Sequence, residues 1–230
     1  MNTKRLAPLM AALTLPLLGI SSTLADTNPS DSVAAVASFP AAGASFTGLE
    51  SALLNAAPTL QPEALRAALR SWDALSAQGE ITRPILTVID YSLPSTSKRM
   101  WVFDLASQKL LFHELVAHGK NSGDNLTRWF SNQEGSLMTS LGAFVTGSTY
   151  IGKNGYTLRL RGMEPGVNDQ AEARTIVMHG APYVDEEVSR KLGRLGRSHG
   201  CPALRPAIAR PLIDEIKDHT LLYAWYRTSS

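Results

Sequence analysis

Between Pro62 and Gly79 the apolar residues Leu65, Leu69, Trp72 and Leu75 recur at helical spacing. That spacing places them on one face of an amphipathic helix. Pro62 suits its first turn and Gly79 its end. A shorter helix is expected before it, capped by Thr47 and running through residue 55. From about Ile81 the texture changes to short β-rich runs over residues 85–91, 100–105 and 109–118. Turn residues at 104–108 make the last two a hairpin. Further strands are expected over 143–146, 156–161, 175–179 and 221–227, with short helices at 185–192 and near 211–217. Regular strand–helix alternation, heptads and internal repeats are missing from the sequence. The pattern therefore predicts a mainly β (α+β) domain with a few peripheral helices and a short helical N-terminal segment.

The first residues read differently. Lys4 and Arg5 precede an apolar run from Leu6 to Ile20, broken by Pro8, Thr14, Pro16 and Gly19, and Thr23-Leu24-Ala25 offers small residues for cleavage before Asp26. This is the layout of a secretory signal peptide, and the run is too short and too broken for a comfortable bilayer span. The expected organisation is a signal peptide at 1–25, a linker and helical segment at 26–80, and the main β-rich domain at 81–230. The linker part, 26–48, is rich in Ala, Ser, Thr, Pro and Gly.

Composition narrows the classes. The chain has 22 Lys and Arg against 20 Asp and Glu; losing Lys4 and Arg5 with the signal leaves 20 against 20. A near-neutral exported chain gives no sign of nucleic-acid binding. The single cysteine, Cys201, cannot close an internal disulfide, so it is a free thiol, an intermolecular link or a nucleophile. A zinc site is not expected, because one cysteine and no paired-histidine spacing make a poor ligand set.

Cys201 sits in Arg197-Ser198-His199-Gly200-Cys201-Pro202. An ordinary thiol, with a pKa of ~8.5, is only a few per cent ionised at neutral pH, so a nucleophilic cysteine needs a base or a positive setting. Among five histidines, His179 is the strongest candidate base. It ends the apolar run Ile176-Val177-Met178, and the carbonyl of the following residue, Gly180, is placed to orient its ring. His118 also ends a strand before a glycine and competes with it. His199 serves either proton transfer or the shape of the loop, whereas His113 and His219 read as structural or solvated. Gly200 allows close backbone approach, and the N–H groups of Gly200 and Cys201 are candidate oxyanion donors. Arg190, Lys191, Arg194, Arg197 and Arg205 either favour thiolate and attract substrate carboxylates or form a solvated face balanced by Asp185, Glu186 and Glu187.

The string Ser198-His199-Gly200-Cys201, with His179-Gly180 separated from it by 18 residues, resembles the signature of the L,D-transpeptidases of bacterial peptidoglycan. So do His118-Gly119-Lys120 and Ser140-Leu141-Gly142-Ala143-Phe144. One branch, the murein L,D-transpeptidase catalytic domain family, is more similar still, through Phe130-Ser131-Asn132, Tyr150-Ile151-Gly152-Lys153, Gly155 to Leu160, Pro165-Gly166-Val167-Asn168 and Cys201-Pro202-Ala203-Leu204. The similarity covers roughly residues 83–226. Two positions depart from the pattern: Ala203 stands where the broader family often has Arg or Asn, and Asn154 where this branch usually has histidine.

The resemblance implies a sandwich-like or barrel-like β domain acting on peptidoglycan stem peptides outside the cytoplasm, in the periplasm, without a metal or organic cofactor. It implies Cys201 as nucleophile and His179 as base, leaving His118 in an early strand, with Gly180, His199 and Gly200 completing the catalytic set. Ser198, Arg197, Arg205, Tyr156 and His118 are expected on the substrate-binding side. The implied reaction attacks the amide between meso-diaminopimelate and the terminal D-Ala of a tetrapeptide stem and passes the acyl group to an amine, giving a 3→3 cross-link. Carbapenems are expected to acylate the same thiol. Hydrolysis as an L,D-carboxypeptidase or peptidoglycan amide hydrolase is the alternative, and a non-catalytic wall-binding module is the alternative of another class. A monomer is expected.

Overall fold

A computed structural model describes residues 46–227; the expected signal peptide and the arm up to residue 45 lie outside the described residues. In chain order the elements are α1 (Thr47–Ala56), α2 (Pro62–Ala77), β1 (Ile85–Asp90), β2 (Met100–Asp104), β3 (Lys109–Glu114), β4 (Gly142–Gly152), β5 (Gly155–Gly162), β6 (Val177–Gly180), α3 (Glu186–Leu192), β7 (Ala203–Leu204), α4 (Pro206–Ile216) and β8 (Leu221–Trp225). The strands form one eight-stranded sheet in the order β3-β2-β1-β8-β4-β5-β6-β7. Pairing is antiparallel except between β1 and β8 and between β6 and β7. Past β3 the chain runs on to Ala117, whose N–H donates to the Ala203 carbonyl at 2.9 Å. That bridge carries one edge of the sheet round to the other, so the sheet is a nearly closed barrel. The mainly β fold with peripheral helices follows the sequence pattern.

Two apolar layers hold it. Along β1 and β2 successive side chains point to opposite faces, and both faces are buried. Ile85, Ile89, Met100 and Val102 pack with Leu158, Met178 and the α4 residues Leu212, Ile213 and Ile216. Leu86, Val88, Trp101 and Phe103 pack with Leu65, Leu69 and Trp72 of α2. The periodic apolar face of α2 is thus spent on the back of the sheet. Each fully buried Leu or Ile contributes about 1.5–3 kcal/mol relative to exposure. No helix among the described residues is long and apolar enough to cross a membrane.

Four boundaries differ from the sequence pattern. Strand β3 stops at Glu114 rather than residue 118, because the chain leaves β2 there and pairs through Ala117 and Gly119 with Ala203 and Ser198. His118 is therefore in a bridging segment, not in a strand. Strand β4 runs on to Gly152, where its far half forms a ribbon with β5 that lacks an apolar alternation. Helix α4 begins at Pro206, which suits the first turn, and carries Pro211 in its interior, where the ring forfeits the hydrogen bond to the carbonyl four residues back. Strand β7 has only two residues, too few to register as a pattern.

Candidate active site

The end of β6 and the loop entering β7 meet at a cavity of about 460 Å³. Its lining includes His179, Gly180, Tyr183, Arg197, Ser198, His199 and Cys201, together with Lys153 and Asn154 from the turn joining β4 to β5. Parallel pairing sets His179 opposite Ala203, two residues after the cysteine. The sheet itself therefore brings the histidine and the thiol to one place.

The Cys201 loop is tightly specified. Gly200 has φ +124°, and a Cβ there would lie 2.8 Å from the Met138 carbonyl oxygen. Both the backbone conformation and the space demand glycine. The Ser198 hydroxyl donates to the Cys201 carbonyl at 2.6 Å and accepts from the Gly200 N–H at 3.0 Å. Both groups differ from expectation: the Gly200 N–H is already used within the loop rather than held for an oxyanion, and the buried Ser198 hydroxyl shapes the loop rather than meeting substrate. Gly200 serves by conformation.

The half-buried Cys201 thiol points to the Thr175 carbonyl at 3.8 Å. Thr175 holds φ 54°, a strained conformation for a β-branched residue. Burial pushes the Cys201 thiol up from its ordinary value; N–H groups of Val177 and of Cys201 itself, and the positive charge of Arg174, pull against that without cancelling it. Burial thus favours the neutral thiol, whose attack needs a base. His179 Nδ1 lies 2.9 Å from the Gly180 carbonyl oxygen. That contact makes Nδ1 the protonated nitrogen and leaves Nε2 as the basic one. His199 is exposed on the cavity wall.

Other expected substrate residues are occupied elsewhere. Arg205 makes a bidentate pair with the buried Glu114 carboxylate, with Nε and Nη2 contacts of 3.0 and 2.8 Å, and is not in the cavity lining. Tyr156 donates to Asp214 at 2.6 Å and stacks under Arg210, also away from the lining. Arg197 lines the cavity but binds the carbonyls of Lys120 and Gly123 and the Asp124 carboxylate. It fastens the 119–128 loop to the cysteine loop.

His118 is also buried away from the cavity, with Nδ1 2.8 Å from Arg99 Nη2 and Nε2 3.3 Å from the Gly123 carbonyl. Arg99 is itself fully buried, bound to the carbonyls of Val116 and Leu93. Burial, and then the Arg99 charge, lower the His118 pKa to about 4. A depressed histidine pKa adds stability that is complete above the unfolded value, ~6.5, and is lost as pH falls toward the folded one. Between pH 7 and 5 the unfolding free energy is expected to fall by about 2 kcal/mol from this group alone. Urea titrations at both pH values check it: His118→Gln should remove that part of the loss, and an unchanged loss would refute the assignment.

Two residues of the site, Arg174 and Tyr183, were invisible to the motif reading, and a third, Lys153, stood there only as part of a family string. Arg174 reaches the Met138 carbonyl at 2.7 Å, the Ser131 carbonyl at 2.6 Å and the Ser140 hydroxyl, tying the 131–140 loop beneath Gly200. Its charge also acts on the thiol. Tyr183 walls the cavity, its phenol pushed up to about 12 by burial and by Cys201. A Cβ at Gly196 would overlap the Cβ of Tyr183, which gives that glycine its reason. Lys153 has no carboxylate partner among the described residues. Family-pattern residue Asn168, in contrast, is structural: it donates to the carbonyls of Leu141 and Ala143, both at 2.9 Å.

A barrel-like β domain with a lone thiol and an oriented imidazole on one cavity has the makings of a thiol-dependent acyl-transfer site. The L,D-transpeptidase catalytic domain model matches residues 56–225, and the chain belongs to that family. No curated protein sequence matches the chain. Among solved structures, an L,D-transpeptidase from Mycobacterium smegmatis is 15% identical, with TM-score 0.38 over 62% of this chain and 58% of its own. A helical cell-shape-determining protein from Campylobacter jejuni is 16% identical, with TM-score 0.41 over 63% and 48%. L,D-transpeptidase 1 of Mycobacterium tuberculosis is 14% identical, with TM-score 0.35 over 62% and 61%. The chain thus spans less than two thirds of each of these solved chains.

Proposed function

We propose that this protein is a cysteine-dependent L,D-transpeptidase of the cell envelope. The observation that carries the reading is that Cys201 and His179 line one cavity while the Gly180 carbonyl holds the imidazole with its basic nitrogen free. In the first step the Cys201 sulfur attacks the carbonyl of meso-diaminopimelate in a tetrapeptide stem, and His179 Nε2 takes the thiol proton. The Cys201 N–H donates to the oxyanion. The C–N bond then breaks, His179 returns the proton to the leaving D-Ala amine, and a thioester remains. An amine of a second stem attacks the thioester, giving up a proton through His179, and the thiol is restored. No step needs a metal.

Incubation with disaccharide tetrapeptide, followed by mass spectrometry, tests the reading. Cross-linked dimer and free D-Ala support it. Tripeptide without dimer selects the L,D-carboxypeptidase alternative, and no D-Ala release at all overturns both.

Lys153 is the cavity's cation left free of carboxylates, while Arg197 is committed to the neighbouring loop. Lys153 is assigned to a carboxylate of the donor stem. Lys153→Gln is expected to raise KM by about 3- to 10-fold, as for an exposed charge-assisted contact, with kcat changed less than twofold. Steady-state kinetics on the tetrapeptide check it; a fall confined to kcat would refute the assignment.

A further inference from the structure

A second cavity, of about 490 Å³, lies on the 119–129 loop and is lined by Gly123, Asp124, Asn125, Leu126, Arg128 and Trp129. Its chemistry is unlike that of the catalytic cavity. Trp129 is 57% exposed and Leu126 45% exposed, on a loop that is otherwise held firmly. The N–H groups of Arg128 and Trp129 both donate to the Ser122 carbonyl, at 2.7 and 3.1 Å. Asn125 is fixed by its Oδ1, which accepts from Ser95 Oγ at 3.0 Å and from the Thr96 N–H at 3.2 Å. Arg197 closes the loop from the other side, at 2.9 Å from the Gly123 carbonyl and 3.0 Å from Asp124 Oδ1. A large aromatic face kept in water on a rigid loop is poised for a ligand, because little ordering cost remains to be met on binding.

From this we infer that the cavity at residues 123–129 binds an acetamido-sugar, as one unit of a wall glycan chain. A pyranose ring offers an apolar C–H face to stack on Trp129, with polar groups round its edge. The Asp124 carboxylate, 80% exposed, is held through Oδ1 by Arg194 and Arg197, and its Oδ2 accepts from ring hydroxyls. The Arg128 guanidinium, without an ion-pair partner among the described residues, and the Asn125 amide N–H groups donate to the acetamido carbonyl. Arg197 walls the catalytic cavity while bonding to the rim of this one, so the two cavities are neighbours across one side chain. The placement within a wall polymer rests on the transpeptidase reading: three stem residues separate the sugar from the scissile amide, roughly 10 Å of extended chain. Sugar binding itself does not depend on it.

The test is titration of the full chain with N-acetylglucosamine hexamer, followed by tryptophan emission and calorimetry, with the glucose hexamer as control. The expected result is saturable binding of the first, at least about tenfold tighter than the second. Trp129→Ala should weaken it by about tenfold, equivalent to ~1.4 kcal/mol of stacking, and Trp129→Phe should keep most of it. Both variants should release D-Ala from a sugar-free tetrapeptide at the wild-type rate. Absent binding, equal binding of both hexamers, or undiminished binding by Trp129→Ala overturns the inference. Cys201→Ala should bind the hexamer normally, so loss of D-Ala release in that variant bears on the catalytic reading alone.

Discussion

Cys201→Ala is expected to abolish D-Ala release and cross-linking, leaving less than about one part in 10³ of the wild-type rate. The chain has no second thiol to substitute for it, and no other side chain of the cavity lining is a comparable nucleophile at neutral pH. Little structural damage should accompany the loss. The thiol is half-buried, its approach to the Thr175 carbonyl is a long 3.8 Å, and the loop is shaped by Ser198 and Gly200. Thermal melts should therefore agree within a few degrees. Intact-mass spectrometry supplies an independent reading: a carbapenem should add one equivalent to the wild type and none to Cys201→Ala. Retained activity in the variant would remove the nucleophile from the mechanism.

His179→Ala should lower kcat/KM by about 10²–10⁴ at pH 7, the usual worth of a positioned general base. The direction of the Cys201 shift sharpens the expectation. Burial favours the neutral thiol, so without His179 the thiolate becomes abundant only above the ordinary thiol range, ~8.5. The variant's rate should climb with pH through and beyond that range, and the wild type should reach its plateau earlier. A pH–rate series on both proteins tests this. A variant profile parallel to the wild type would mean that His179 acts on substrate rather than on the thiol. His199→Ala should be milder, because the ring is exposed and no backbone group fixes it.

The lone cysteine, the histidine at a strand end and the glycine before the thiol were legible because each is a residue type with a specific job at a fixed spacing. The contact of the His179 ring with the next carbonyl is local, so sequence order alone suggested it. What escaped was long-range. Arg205 lies four residues after the thiol, yet Glu114, 91 residues away, takes its guanidinium. Arg174 sits outside every motif and earns its place through the 131–140 loop. The turn carrying Lys153 and Asn154 reaches the cavity only because β4 and β5 extend as a ribbon beyond the core, where no apolar alternation marks them. Local chemistry can be read from the chain, whereas partners supplied by tertiary packing cannot.

The position of β8 has a consequence for the order of assembly. Strand β8 lies between β1 and β4 and joins β3-β2-β1 to β4-β5-β6-β7 by continuous strand pairing, whereas the opposite seam is made by isolated bridges at Ala117 and Gly119. Until residues 221–225 arrive, each half presents an unpaired edge, and the side chains Leu221 and Leu222 that seal the two apolar layers are missing. Such distant pairing is slow to form and leaves exposed edges open to association while it waits. Docking of β8 is therefore a precondition for the finished barrel, and loss of that strand alone would disable the fold without touching any residue that lines the cavity.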